Sequence, residues 1–221
     1  MNIPLSRSVQ SNENVRRRQA PSCEAGLSDS ANPAQRDKTN VARCIFTNSK
    51  GDIDMKSLVV YSSRTGNTKA VAEHIAAALS DAVLRDTRHM PNSLDAFDLI
   101  FVGFWAYRRG ADPEASRVLE SLHGKRVAVF GTAGAYPDSE AGKKYPENAA
   151  ALLSSDCVYA GGFLCQGRVH SFHVSLETGV KNSGHEMTEE RRARLTEAEK
   201  HPNAADFAAA SDFARRIEAG N

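Results

Sequence analysis

One short loop concentrates side chains that can bind an anion. Its seven residues are Ser62, Ser63, Arg64, Thr65, Gly66, Asn67 and Thr68. Four of them carry hydroxyl groups, which donate hydrogen bonds to anionic oxygens, and the glycine lets the backbone turn tightly. A helix that begins at the end of this loop would add unpaired N–H groups and a partial positive charge. The loop therefore predicts a phosphate site, with the hydroxyls of Ser63, Thr65 and Thr68 as donors.

Two common phosphate-binding patterns do not fit this loop. The Walker pattern requires a Gly-Lys pair followed by Ser or Thr, and the loop contains no such pair. A dinucleotide-binding turn requires three glycines, spaced Gly-x-Gly-x-x-Gly, whereas Gly66 is the single glycine of the loop. One terminal phosphate therefore fits the loop better than a pyrophosphate.

The elements around the loop alternate between strand and helix. Short apolar runs predict strands at 57–61, 82–86, 98–104, 125–131 and 157–164. Runs with helical spacing predict helices at 70–79, 113–122, 140–154 and 204–218. We expect Asp112 to cap the second helix and Pro146 to interrupt the third. This alternation predicts an α/β fold of three layers, built on a doubly wound, five-stranded parallel sheet in the order 2-1-3-4-5.

The predicted strand order locates the ligand site. In such sheets, ligands bind at the carboxyl ends of the strands, beside the switch point between strands 1 and 3. This rule selects the loop at 62–68 and two further loops, at 105–112 and 132–138. The sequence therefore predicts one site assembled from three loops.

The first strand, its loop and the following helix carry a specific signature. Residues 59–75 read Val-Val-Tyr-Ser-Ser-Arg-Thr-Gly-Asn-Thr-Lys-Ala-Val-Ala-Glu-His-Ile. This run resembles the FMN-phosphate signature of the flavodoxin family over its whole length, in the strand–turn–helix context that the signature requires. The resemblance covers residues 56–166 and the last helix. It implies a flavodoxin-like fold that binds FMN non-covalently, with the phosphate in the first loop.

The resemblance also implies that the second and third loops hold the isoalloxazine ring. The aromatic side chains of Trp105, Tyr107 and Tyr136 would stack on the ring. Backbone N–H groups of the third loop would meet the polar edge of the ring. The cofactor contacts implied in these two loops are Trp105, Ala106, Tyr107, Thr132, Ala133, Gly134 and Tyr136.

The charges of the chain are nearly balanced, with a formal net charge of +1. The first 54 residues hold 8 of the 28 basic and 6 of the 27 acidic residues, so the remainder carries −1. Flavodoxins are usually strongly acidic. The nearly balanced charge of this chain does not favour a partner that recognises its carrier through a strongly negative surface. Arg108 and Arg109 border the predicted ring site, either as a solvated pair or as cations that steady a negative charge.

Several classes of function receive no support from the sequence. The balanced charge gives no reason to expect nucleic-acid binding. No apolar run is long enough for a membrane span, and the first residues lack the apolar core of a secretory signal. Cysteine and histidine spacings do not match those of metal sites. We therefore expect a cytoplasmic protein with reduced thiols and no metal.

Two segments lie outside the family pattern. Residues 1–54 are rich in Ser, Asn, Arg and Gln and lack an apolar period, which predicts either a disordered extension or a non-native segment ahead of a true start at Met55. We favour the second interpretation, with a domain at 55–221. Residues 167–203 form an insertion, with a charged, solvated helix at 188–200. The runs Gly-His-Glu-Met-Thr-Glu-Glu-Arg at 184–191 and His-Pro-Asn-Ala-Ala-Asp at 201–206 are similar to those of a bacterial subgroup of short flavodoxin-like proteins. That subgroup includes the accessory flavodoxin of bacterial bilirubin reductase.

These features favour an FMN-binding electron carrier that shuttles electrons between a reductase and an acceptor enzyme and has no catalytic side chain. Two alternatives stay open. One is an FMN-dependent NAD(P)H:quinone-type oxidoreductase, and the other is a flavodoxin-like domain that has lost FMN. The sequence does not determine the oligomeric state.

Overall fold

The architecture centres on five strands: β1 (Ser57–Tyr61), β2 (Ala82–Asp86), β3 (Leu99–Trp105), β4 (Arg126–Ala133) and β5 (Val158–Gln166). All neighbouring pairs are parallel, in the order β2-β1-β3-β4-β5. The structure is a computed structural model that describes residues 56–170 and 187–220. The predicted fold class and strand order are confirmed. The predicted N-terminal extension and residues 171–186 of the predicted insertion lie outside the described residues.

Within residues 56–170 and 187–220, five helices accompany the sheet: α1 (Asn67–Ala78), α2 (Pro113–Ser121), α3 (Glu140–Ala150), α4 (Glu189–Ala198) and α5 (Ala204–Glu218). A short 3₁₀ turn at Thr87–His89 follows β2. Polar side chains start four of the five helices, because each accepts hydrogen bonds from first-turn amides: Asp112, Ser139, Thr188 and Asn203. No helix within the described residues is long and apolar enough to cross a bilayer.

Two apolar cores cover the two faces of the sheet, because alternate strand residues point to opposite sides. On one face, α1 and α5 pack against Val59, Phe101 and Phe130. On the other face, α2 and α3 pack against residues such as Ile100 and Val129. The central strands are buried on both faces, which explains their unbroken apolar sequences.

Two glycines in neighbouring strands each lie beneath a phenylalanine ring. Gly103 of β3 pairs with Phe130 of β4, and Phe104 pairs with Gly131 one residue later. A Cβ added to Gly103 would lie 2.3 Å from Phe130 Cζ, and one added to Gly131 would lie 2.5 Å from Phe104 Cζ. Each ring therefore fills the space that a side chain on the paired residue would need. These pairs lie just below the strand ends that carry the ligand site.

The predicted interruption at Pro146 is wrong. Helix α3 continues through Pro146, which is buried within it, and ends at Ala150 rather than at residue 154. A Cβ built on Gly162 of β5 would lie 2.5 Å from Pro146 Cβ, so the proline packs directly on the bare backbone of this strand. This tertiary contact compensates for the helical hydrogen bond that proline cannot donate.

Candidate functional site

The carboxyl ends of β1, β3 and β4 meet around an open cleft of about 260 Å³. It is lined by Arg64, Thr65, Asn67, Trp105, Ala106, Thr132, Ala133, Gly134, Gly167, Arg168, Val169 and His170. The first eight of these residues belong to the sequence-predicted contacts and come from all three predicted loops. The other four follow β5. The fold therefore assembles one site at the switch point of the sheet.

The first loop turns through Gly66, whose φ of 92° lies in the left-handed region that favours glycine. Helix α1 begins at the next residue, so the amides of its first turn have no acceptor within the helix. Ser63 Oγ accepts hydrogen bonds from the N–H groups of Gly66 at 3.2 Å and Lys69 at 3.3 Å. A hydroxyl group and a helix N-terminus thus converge, which is the arrangement of an anion-binding loop.

Two of the predicted hydroxyl groups point into the protein. Ser62 is buried, and its Oγ donates to Asp112 Oδ1 at 2.9 Å. Thr68 is also buried, and its Oγ1 lies 2.9 Å from Thr132 Oγ1. These hydroxyl groups tie the first loop to the second and third loops. Ser63 and Thr65 are the hydroxyl residues left on the outer side of the loop.

The second loop presents an aromatic pair. The ring centroids of Trp105 and Tyr107 are 5.6 Å apart, with planes at 68°, an edge-to-face contact. The guanidinium group of Arg64 lies 5.9 Å from the centroid of the Trp105 ring. Ala106 N donates to Thr132 O at 2.9 Å, so the second loop is also fixed to the third. Trp105 lines the cleft, whereas Tyr107 lies farther out and is 38% exposed.

A tight hairpin follows the aromatic pair. Tyr107 and Gly110 exchange backbone hydrogen bonds of 3.0 and 2.8 Å, and the two residues between them are Arg108 and Arg109. Both arginines have positive φ, 46° and 68°, as the central residues of a type I′ turn require. Side chains with a Cβ rarely adopt this conformation, so the turn is strained. Asn148 Nδ2 donates to Arg109 O at 2.7 Å and holds the turn in place.

We expect the double substitution R108N/R109G to raise the free energy of unfolding by about 1 kcal/mol, because Asn-Gly is the preferred pair for a type I′ turn. The backbone acceptor for Asn148 is kept in this variant. Urea unfolding followed by circular dichroism measures the difference. A less stable variant would mean that the arginine side chains contribute more to the fold than their conformation costs.

A buried carboxylate joins the first two loops to α2. Asp112 Oδ1 accepts from Ser62 Oγ at 2.9 Å and from Glu114 N at 3.0 Å, and Asp112 Oδ2 accepts from Trp105 N at 3.2 Å. Burial raises the pKa of Asp112, and these hydrogen bonds oppose the rise. The N-cap role of Asp112 was predicted from the sequence, and the structure confirms it. Its bonds to Ser62 and Trp105 were not predicted.

The third loop is held from outside by α4. Arg194 Nη1 donates to Gly134 O at 2.6 Å. Leu195 and Ala198 are buried, so the prediction of a solvated helix at 188–200 is wrong for one helix face, which packs on the domain. Thr132 and Ala133 are buried, whereas Tyr136 is 41% exposed and is not among the residues that line the cleft.

The segment that follows β5 is a part of the site that the sequence analysis missed. A Cβ built on Gly167 would lie 2.8 Å from Asn67 Nδ2 and 3.2 Å from Thr132 Cβ, so this backbone wedges between the first and third loops. Asn67 Nδ2 also donates to Arg168 O at 3.0 Å. The signal that could have found this segment is strand order, because the carboxyl end of β5 lies beside that of β4.

The residues of the cleft fit FMN. First-turn amides without an acceptor in the helix and outward hydroxyl groups suit the phosphate, while a half-buried tryptophan offers a flat contact for the ring. None of the described residues that line the cleft is acidic, whereas Arg64 and Arg168 are basic. Arg168 is paired with Glu199, whose Oε2 lies 3.3 Å from Arg168 Nε, so Arg64 supplies the unbalanced positive charge. The cleft is therefore electrostatically suited to a cofactor that carries a phosphate.

Comparisons with known proteins agree with this geometry. The model of the flavodoxin domain family matches residues 58–215. A flavodoxin-like domain-containing protein, BilS, from Clostridioides difficile (strain CD3) is 31% identical over 169 residues, 74% of this chain and 96% of that protein. A BilS from Clostridium symbiosum (strain WAL-14163) is 26% identical over 183 residues, 72% of this chain and 94% of that protein.

Solved flavodoxin structures are more distant. The flavodoxin of Streptococcus pneumonia TIGR4 is 16% identical and matches 75% of this chain and 99% of its own, with a TM-score of 0.49. The family model, in contrast, spans the phosphate loop, the cleft and most of α5. The chain therefore belongs to the flavodoxin family, whose cofactor is FMN.

Proposed function

We propose that this protein is an electron carrier that holds FMN in the cleft at the carboxyl edge of its sheet. The observation that carries the proposal is the meeting of an anion-binding loop and the Trp105 side chain in one open cleft. When bound, FMN supplies the redox chemistry by accepting and donating electrons. The chain needs to bind and orient the cofactor and to leave one side of it accessible.

The contacts to FMN are part of this proposal. The first loop binds the phosphate through the amides at the start of α1 and the hydroxyl groups of Ser63 and Thr65. The second loop places Trp105 against the ring, and the third offers its backbone at the ring's polar edge. Ser62, Thr68 and Asp112 position these loops through buried hydrogen bonds.

The proposed partners are a reductase that supplies electrons and an enzyme that accepts them. The aromatic pair lies at the outer side of the cleft, where Tyr107 is 38% exposed, so a partner can approach the ring from this side. The resemblance of the insertion motifs to the subgroup with the accessory flavodoxin of bilirubin reductase makes such a reductase one acceptor to test.

One observation favours the alternative, an FMN-dependent NAD(P)H:quinone-type oxidoreductase. A hollow of about 340 Å³ continues the cleft on one side, and the five residues that line it also line the cleft: Arg64, Thr65, Asn67, Arg168 and His170. An enzyme that binds a phosphate-bearing nicotinamide cofactor next to FMN needs basic side chains in such a place.

One experiment separates these functions. The full chain is purified, its flavin is released by heat and identified by chromatography, and NADPH oxidation is followed with and without a quinone. Stoichiometric FMN with negligible NADPH oxidation supports the carrier, whereas fast turnover with quinone supports the oxidoreductase. A colourless protein that takes up no added FMN would refute both.

We expect the substitution Trp105→Ala to weaken FMN binding about tenfold, because the ring loses a stacking partner and its buried area. Fluorescence titration of the apoprotein with FMN measures the change. Trp105→Phe keeps an aromatic face and should recover most of the affinity. Tyr136→Ala is the matched comparison, since Tyr136 is exposed and does not line the cleft. Equal losses for Trp105→Ala and Tyr136→Ala would show that both rings stack on FMN.

A further inference from the structure

The hairpin between Tyr107 and Gly110 carries two cations that the FMN site does not use. Arg108 and Arg109 are exposed, and neither lines a described cavity. The guanidinium group of Arg108 lies 5.2 Å from the centroid of the Tyr107 ring, next to Trp105. The two side chains therefore stand on the protein surface, beside the aromatic pair at the border of the cleft.

The conformation of this hairpin is unfavourable for arginine but firmly held. Both residues have positive φ, which asparagine and glycine adopt more readily. Two backbone hydrogen bonds and the bond from Asn148 keep the turn closed. The chain thus has two arginines at backbone positions where asparagine and glycine would be more stable. Such an outlier points to a role outside the fold itself.

The surroundings of the hairpin reinforce the positive charge. Arg64 lies over the Trp105 ring and adds a third cation near the hairpin. The charge of Arg168 is balanced by Glu199, whose Oε2 lies 3.3 Å from Arg168 Nε. Two carboxylates lie close to the second loop: Asp112 is buried, and Glu114 is exposed at the start of α2, where its Oε2 accepts from Thr87 Oγ1 at 3.1 Å. Residues 55–221 together carry a net charge of −1. Around the second loop, the three exposed arginines Arg64, Arg108 and Arg109 therefore outnumber the one exposed carboxylate, Glu114.

We propose that Arg108 and Arg109 form a docking surface for the acidic face of a redox-partner protein. A protein fits better than a small anion, because the arginines stand on an exposed turn rather than in a cavity. The proposal rests on the electron-carrier function. Complementary charge would guide the partner to the exposed side of the ring and raise the association rate at low salt.

The test uses the full chain loaded with FMN and chemically reduced, with two surrogate acceptors of opposite charge. Cytochrome b5 is acidic and cytochrome c is basic. Stopped-flow absorbance gives the rate of electron transfer to each acceptor at ionic strengths from about 20 mM to about 500 mM. We expect the rate with cytochrome b5 to fall as salt rises, and the rate with cytochrome c to rise or stay constant.

The informative variant is R108N/R109G, which removes both charges and suits the turn, so the fold is kept. At low salt it should transfer electrons to cytochrome b5 about tenfold more slowly than the wild type, and at high salt the two rates should converge. R215Q/R216Q removes the same charge from the last turn of α5, at the opposite edge of the sheet, and should match the wild type. The midpoint potential of FMN is measured in each variant, so that a change in driving force is recognised.

A binding measurement separates this proposal from the electron-carrier function. Amide chemical shifts of Arg108 and Arg109 should move when cytochrome b5 is added to the oxidised protein, and should not move when cytochrome c is added. Shifts without electron transfer would refute the carrier function and keep the docking surface. Electron transfer that is equally fast in R108N/R109G and the wild type, together with unmoved shifts, would overturn the docking surface alone.

Discussion

Replacing Asp112 with alanine is expected to lower the free energy of unfolding by about 3 kcal/mol and to reduce FMN binding strongly. The carboxylate is fully buried and accepts hydrogen bonds from Ser62 Oγ and from the amides of Trp105, Glu114 and Ala115. Alanine leaves the three amides without this acceptor, and Ser62 Oγ keeps only its 3.5 Å contact with Glu114 Oε2. Leaving buried donors unpaired costs more than the bonds themselves contribute. The substitution also frees the loops that carry the phosphate site and Trp105.

Asp112→Asn is the matched control, because it keeps one acceptor oxygen for Ser62 and the α2 amides. We expect an intermediate loss at neutral pH, since an amide NH₂ facing Trp105 N cannot accept its hydrogen bond. The two variants are compared by urea unfolding and by FMN titration. Equal stability of Asp112→Ala and the wild type would contradict the joining role of this carboxylate.

The stability that Asp112 contributes to the fold should change with pH in one definite direction. Burial raises the pKa of Asp112 in the folded protein, so the folded state binds a proton more tightly than the unfolded chain does. The stability of the wild type relative to Asp112→Asn should therefore fall as pH rises from about 4 through the raised pKa. Unfolding curves of both proteins between pH 4 and pH 8 measure this difference. A difference that grows with pH would mean that the hydrogen bonds outweigh burial.

Gly167→Ala is expected to weaken FMN binding by about a hundredfold while changing stability less than Asp112→Ala does. The added Cβ would lie 2.8 Å from Asn67 Nδ2, 3.2 Å from Thr132 Cβ and 3.3 Å from Asn67 Cβ. At least one of these residues must move, which separates the first and third loops and breaks the bond from Asn67 to Arg168 O. Both loops meet the same cofactor, so their spacing matters more for binding than for folding.

Gly110→Ala is the matched control for this substitution. A Cβ built on Gly110 has its nearest neighbour, Asn148 Cβ, at an ordinary 3.7 Å. It should therefore leave FMN affinity close to that of the wild type. Fluorescence titration of each apoprotein with FMN gives the comparison, and circular dichroism verifies the fold. Unchanged affinity in Gly167→Ala would mean that the segment after β5 does not set the spacing of the loops.

The sequence predicted the parts of the site that follow from local patterns. Strand runs and helix spacing gave the order 2-1-3-4-5, and strand order placed the three loops at one edge. The parts that it missed depend on contacts between residues far apart in the chain. Asp112 is an ordinary helix cap by sequence, and its bond to Ser62 spans 50 residues. The bond from Asn67 to Arg168 spans 101 residues.

The hairpin was missed for a different reason. Turn prediction relies on Asn, Gly, Asp and Pro, and Arg-Arg carries none of these signals. The side-chain directions in the first loop were also beyond sequence reasoning, since Ser62 and Ser63 are chemically alike. Only the packing shows that Ser62 turns to Asp112 while Ser63 stays with the loop amides.

The paired glycines and phenylalanines of β3 and β4 should also covary among the sequences of related proteins. There are two such cross-strand pairs, Gly103 with Phe130 and Gly131 with Phe104. In each pair, the phenylalanine ring occupies the space that a side chain on the glycine would need. Relatives that enlarge one glycine should shrink the facing phenylalanine, so each pair should covary. If β3 and β4 paired one residue out of register, Phe104 would lie beside Phe130. The side chains of the shifted strand would then point to the opposite face of the sheet. The two glycine–phenylalanine pairs thus specify the register of β3 and β4, the strands whose ends carry Trp105 and Thr132.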